Sequence, residues 1–225
     1  SLCFDNESNS FVVIEYKRGS SYSVIDQGYS YMSVMLNNKS DFILEYIEKT
    51  GKSLKKREVD FSQSRILFIS QSFNSYQKNS VNFKDVPFEL WEIKRYSNGT
   101  IGLDQHISSS NESIQKIEGN KSSVIKSVSK EVKVYGEDHH LKSISKNNKN
   151  LYLQLKEEIF SLDDIVFDSK KMYVSFKKNN IIVCYTIFRK ESLIIEIVKG
   201  NIKPDGKTSK GFFTLDDPKK VSRIL

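Results

Sequence analysis

The residue pattern predicts an α/β N-terminal domain with a mixed sheet and a smaller α+β C-terminal domain. Three observations carry this. Residues 1–105 alternate short β-branched or aromatic runs with helix-length amphipathic runs, in the order hairpin, helix, helix, strand, helix, strand, strand. Residues 106–148 are dominated by Ser, Asn and Lys, with few apolar side chains, and read as a linker with a helical piece at 122–134. Residues 149–225 hold one amphipathic helix and three strongly apolar strands.

The elements follow in chain order. SLCFD (1–5) and FVVIEYK (11–17) are two runs joined by a turn-rich NESNS, which is a hairpin signature. Residues 24–36 repeat apolar or aromatic side chains at three and four, through Val24, Tyr31, Val34 and Met35, and read as a helix despite Gly28. Residues 41–49 form a second helix, with Ser40 or Asp41 as N-cap and Gly51 beyond its end. RILFIS (65–70) is a short buried strand and 75–83 a helix. FELWEIKRY (88–96) alternates as a strand, and Asn98-Gly99 turns it into a last strand at 100–103; Trp91 is assigned to the core. In the second domain, residues 150–162 place Leu151, Leu155, Ile159 and Leu162 on one helical stripe. Strands at 171–177, 181–189 and 193–198 follow, the first two joined by Asn179-Asn180. Asp216-Asp217-Pro218 opens a further helix, and three strands with one helix make a thin domain whose remaining elements are expected beyond Leu225.

Composition narrows the function classes. The longest apolar run, 181–188, is far short of the ~20 residues that span a bilayer, so a transmembrane carrier is excluded and no membrane partner is expected. Cys3 and Cys184 lie far apart without metal-ligand spacing, and the start shows no basic-then-apolar leader pattern. Reduced thiols in a cytoplasmic protein are expected. Residues 142–225 carry 17 Lys and Arg against 10 Asp and Glu, while residues 1–141 carry 18 of each, so the formal +7 charge lies wholly in the C-terminal part. Such an excess suits either a solvated surface or a polyanionic partner. His139-His140 has no neighbouring ligand spacing and reads as a solvated pair.

One motif invites a chemical reading. Glu15-Tyr16-Lys17 puts a carboxylate and an ammonium on one face of a strand, about 7 Å apart. That pair suits a carboxylate holding Mg²⁺ beside a lysine that steadies developing charge. The alternative is a strand ending in solvent. The triplet also occurs at Glu92-Ile93-Lys94 and Glu131-Val132-Lys133, and its context decides between the three. A helix follows only the first, with Gln27 and Tyr31 four apart on one face and Gln27 near the strand end. The chemistry asks for a second acid. Asp5 sits at the turn end of the hairpin, about 15 Å from Glu15. Pairing back from the turn sets Glu15 opposite the position before Ser1, where the missing acid is expected.

Hairpin, VVIEYKRG (12–19) and QGYSY (27–31) together resemble the PD-(D/E)xK, restriction-endonuclease-like nuclease superfamily, with Gln27 and Tyr31 similar to the Gln-x-x-x-Tyr element of its RecB-like branch. The chain more closely resembles a bacterial and archaeal family labelled "predicted transport protein", whose N-terminal half is similar to NucS-type endonucleases and whose C-terminal domain has no established function. The resemblance implies a Mg²⁺- or Mn²⁺-dependent DNA endonuclease. It implies Glu15 and the Tyr16 carbonyl as metal ligands, and Glu15, Lys17, Gln27 and Tyr31 as the catalytic set. It also implies an upstream Arg-hydrophobic-Asp tripeptide supplying the second acid. Arg18, next to the motif, reads as a phosphate contact or as a surface arginine, and DNA and a second copy of the chain are the expected partners. A catalytically silent module that binds nucleic acid or protein is the alternative.

Overall fold

A computed structural model describes residues 1–18, 24–108, 110–114, 123–179, 181–198, 213–214 and 221–224. The chain divides into two compact units, Ser1–Val134 and Tyr135–Leu225.

The first unit is built on a five-stranded sheet: β1 (Leu2–Asp5), β2 (Ser10–Tyr16), β3 (Arg65–Ser70), β4 (Phe88–Arg95) and β5 (Ile101–His106), in that spatial order. The central strands β2, β3 and β4 are parallel, and the two outer strands run antiparallel to their neighbours. The sheet is therefore mixed, and the unit is α/β. Parallel neighbours need crossovers. Helices α1 (Val24–Asn37) and α2 (Lys39–Thr50) connect β2 to β3, and α3 (Ser75–Ser80) connects β3 to β4. Alternation along the strands sends Phe11, Ile66, Phe68, Phe88 and Leu90 into one core with the helices.

Helix α1 buries Val24, Gly28, Tyr29, Met32, Met35 and Leu36, whereas Val34, expected on the apolar stripe, is exposed. Gly28 explains itself by approach. A Cβ there would stand 2.6 Å from Cζ of Phe88, so only hydrogen lets the helix lie this close to β4. Tyr29 then meets the Phe88 ring edge-on, with centroids 5.0 Å apart. Helix α2 ends as expected at Gly51, with φ 67° and its N–H bonded to the Ile47 carbonyl.

Other assignments change in this unit, and the N-cap of α2 is Asn38 instead of Ser40 or Asp41. The segment expected to be a linker is divided between the units, and its helix α4 (Ser123–Glu131) packs into the first core through Ile125 and Val128, followed by Val132. Sparse apolar residues at three- and four-residue spacing suffice to give one buried stripe in a Ser/Lys background. Trp91 is only half-buried, on the face of β4 opposite the helices, where its indole N–H donates to Glu89 at 2.9 Å. That face carries a polar belt, Arg65 bridging Asp5 at 3.0 Å and Glu89 at 2.8 Å. Tyr16, Ile93, Ile101 and Leu103 are exposed on the same face.

The second unit is α+β. Helices α5 (Glu137–Leu141) and α6 (Lys146–Phe160) precede β6 (Ile165–Ser169), β7 (Tyr173–Lys178), β8 (Ile181–Arg189), β9 (Ser192–Val198), β10 (Phe213–Thr214) and β11 (Val221–Ile224). These form one antiparallel sheet ordered β10-β11-β9-β8-β7-β6. Six strands stand where three were expected. β6 and β11 are too short, and too interrupted by polar residues, to announce themselves alone; each is held by pairing with a longer strand. Asp216–Pro218, read as a helix start, and Asn180 lie outside the described residues.

The buried face of α6 also differs from the expected stripe. Tyr152 is fully buried, while Leu151 and Leu162 are exposed. Tyr152 meets the Phe188 ring at 4.8 Å and donates its hydroxyl to Glu137 at 2.6 Å, which rotates the helix to bury an aromatic with a satisfied polar tip. His140 is buried too, unlike exposed His139. Its Nε2 donates to the Lys170 carbonyl at 2.8 Å and its ring stacks on Phe188. Burial holds its pKa below the usual range and so favours the neutral ring. Both cysteines are free, and burial pushes the Cys184 thiol up to about 11. Among the described residues no helix is long and apolar enough to cross a membrane.

Candidate functional site

Alternation along β2 builds one half of the site. Phe11 and Val13 point into the core, and Glu15 and Lys17 continue on the same face where the core ends. Phe68 of β3 stands in register with Glu15, and the Lys17 ammonium lies 5.6 Å from the Phe68 ring centre. Helix α1 builds the other half. Gln27 is in its first turn and Tyr31 one turn later, on one side.

Gln27 joins all four side chains. Lys17 Nζ donates to Gln27 Oε1. Gln27 Nε2 donates to Glu15 Oε1 at 3.2 Å and to Tyr31 Oη at 2.7 Å. One amide thus uses its acceptor for the cation and both donors for the carboxylate and the phenol. All four side chains are half-buried, so they are held in place yet open to water. The Tyr16 side chain points to the opposite sheet face and is 62% exposed. Its main chain is fixed by pairing with Ile69, and the Lys17 N–H donates to the Ile69 carbonyl at 2.8 Å. Arg18 is exposed just past the strand.

Asp5 takes no part. It pairs with Ser10, five residues from Glu15, and faces the other side of the sheet, against Arg65. Burial pushes its pKa up, but the Ser8 hydroxyl, the Arg65 guanidinium and the Glu7 amide together outweigh this and hold the carboxyl below its ordinary value. The β1–β2 register ends with Ser1 and Ile14 exchanging main-chain bonds of 2.8 and 2.7 Å, and Glu15 is the next position.

Beside the cluster is a cleft of about 420 Å³, lined by Lys17 and Arg18 together with Ser70, Gln71, Ser72 and Asn74, and by the buried Gln77. Residues 70–77 carry no motif, and only the parallel pairing of β3 beside β2 brings them to Lys17. The other two triplets are occupied structurally. Glu92 bonds Lys78 Nζ at 2.8 Å and the Phe73 N–H at 3.1 Å, which lowers its pKa, and Glu131 is paired with Lys39.

The donor set bears on a metal. Glu15 offers hard carboxylate oxygens, the type that Mg²⁺ and Mn²⁺ take. Among the described residues, no group of three or more His, Cys, Asp or Glu could hold an ion. The cluster supplies one carboxylate, Glu15, so a cation held there would keep most of its waters, and the side chains present do not form an all-protein cage.

A protein of Haemophilus influenzae described as uncharacterized is 40% identical over 224 residues, spanning 99% of this chain and 70% of the relative. No family model matches the chain. No solved structure matches it.

Proposed function

This chain belongs to the family of that Haemophilus influenzae protein, and we propose that its first unit is a restriction-endonuclease-like, divalent-metal-dependent nuclease acting on the phosphodiester bonds of DNA. The observation that supports this reading is the hydrogen-bonded set of Glu15, Lys17, Gln27 and Tyr31 at the end of a central parallel strand. Open α/β sheets bind ligands outside the carboxyl ends of their parallel strands, which is where this set lies. When bound, a Mg²⁺ or Mn²⁺ ion supplies Lewis acidity at the phosphoryl group. Glu15, with the Tyr16 carbonyl, is its proposed protein ligand. Lys17 steadies the charge that grows on the phosphoryl oxygens and orients the attacking water. Gln27 holds Lys17 and Glu15 at a fixed separation, and Tyr31 holds Gln27. Arg18 contacts phosphate.

A second reading has its own support. Glu15 stands without a cluster of further acids among the described residues, as it would in a module that binds nucleic acid without cutting it. Cleavage separates the two. The intact protein is incubated with DNA and Mg²⁺ or Mn²⁺, beside Glu15→Gln and Lys17→Ala. Metal-dependent cutting by the parent alone is expected. Equal cutting by all three proteins would remove the assigned site. Binding with no cutting under either ion favours the silent module.

A further inference from the structure

We propose that the cleft beside Lys17 is a seat for the phosphate backbone of a nucleic-acid strand, taking the nucleotide that flanks the bond under attack; its place in the reaction rests on the nuclease reading above. The lining chemistry selects the ligand. Among the described residues of the cleft, the charged ones are Lys17 and Arg18, both cationic. Ser70, Gln71, Ser72 and Asn74 add hydroxyl and amide groups. Cations with hydroxyls and amides are the groups that phosphate contacts draw on. The volume of about 420 Å³ falls within the range of sites that hold small organic molecules, so one nucleotide can enter where a whole duplex cannot.

The wall is held before any ligand arrives. Phe73 is buried, which anchors the middle of the 71–74 loop. The Phe73 N–H is tied to Glu92 at 3.1 Å, and Glu92 is itself held by Lys78 at 2.8 Å. Asn74 and Gln77 cap each other's backbone with bonds of 2.9 Å. Groups already in position lose little freedom on binding. This gives Glu92, the second Glu-x-Lys acid, a positioning role. Lys17 is shared between the cleft and the Gln27 cluster, so a strand seated in the cleft runs directly onto the Glu15 site.

The test uses the intact protein, a short fluorescein-labelled single-stranded oligonucleotide, and EDTA to prevent cutting, with fluorescence anisotropy as readout. Ser72 and Arg18 are exposed, so neither substitution disturbs the core. Ser72→Glu sets a carboxylate among the phosphates and is expected to weaken binding about tenfold. Arg18→Ala should weaken binding and flatten the dependence of log affinity on log salt by about one. Parent-like affinity and slope in both variants, with cutting still present in the parent, would overturn the cleft while leaving the nuclease reading standing. Weakened binding with no cutting by the parent would keep the cleft as a strand seat and remove the nuclease. Displacement of the oligonucleotide by an equal concentration of free mononucleotide would also overturn the proposal, since the cleft would then be a mononucleotide pocket.

Discussion

Replacing Gln27 by Leu tests whether one amide holds the candidate site together. Leucine keeps the size and helix preference of the side chain and removes every polar contact. Three hydrogen bonds disappear, and two of them have a charged partner, Glu15 or Lys17. A net hydrogen bond contributes about 0.5–1.5 kcal/mol, and one to a charged group about 1.5–3 kcal/mol. The lower limits add to about 3.5 kcal/mol, but the partners are half-buried, so water replaces part of each bond and every term falls below its lower limit. The expected loss of stability is about 1–3 kcal/mol. Trp91 is the chain's single tryptophan and sits on β4 of the first unit, so its fluorescence during urea unfolding reports that unit. A cycle with Lys17→Met isolates the Lys17–Gln27 contact, and a coupling of about 0.5–1.5 kcal/mol is expected. Additivity within about 0.5 kcal/mol, together with a negligible cost for Gln27→Leu alone, would refute the hub.

Gly28→Ala carries a diagnostic sign. Alanine in an unconstrained helix gains about 1 kcal/mol over glycine. Here the new methyl meets the Phe88 ring, and a net loss of about 1–2 kcal/mol is expected in the same unfolding assay; a gain would show that the ring yields. Asp5 gives an acid signature. Its native pKa is lowered, so its contribution is present above about pH 4, the unfolded value, and is lost as pH falls through the native one. Asp5→Asn should be less stable than the parent at neutral pH, with the gap closing below about pH 4. His140 works through the same linkage in a higher window. Its pKa is lowered by burial, so the unfolded chain takes up the proton first, and the second unit loses stability as pH drops below about 6.5. Amide exchange of α6 and β8 should quicken from pH 7 to pH 5 beyond the intrinsic rate, and His140→Gln should abolish that excess.

What the sequence determined is what short-range periodicity can carry. The NESNS turn set the hairpin register, so it also set Asp5 far from Glu15. Period-two alternation put Glu15 and Lys17 on one face, and four-residue spacing put Gln27 and Tyr31 on one side of a helix. Both patterns are local properties of the backbone, and the four side chains they singled out meet in one hydrogen-bonded cluster. Tertiary structure decided everything that depends on partners distant in sequence. It buried α4 against a core begun at Phe11, covered Tyr152 on α6 while keeping Ile159 against the second core, and left Trp91 at a half-open face. It also laid the unmarked residues 70–77 beside Lys17, and tied Glu92 to Phe73 and Lys78. No local pattern encodes these outcomes, because strand order and the covering of each face are settled by the packing of the whole unit.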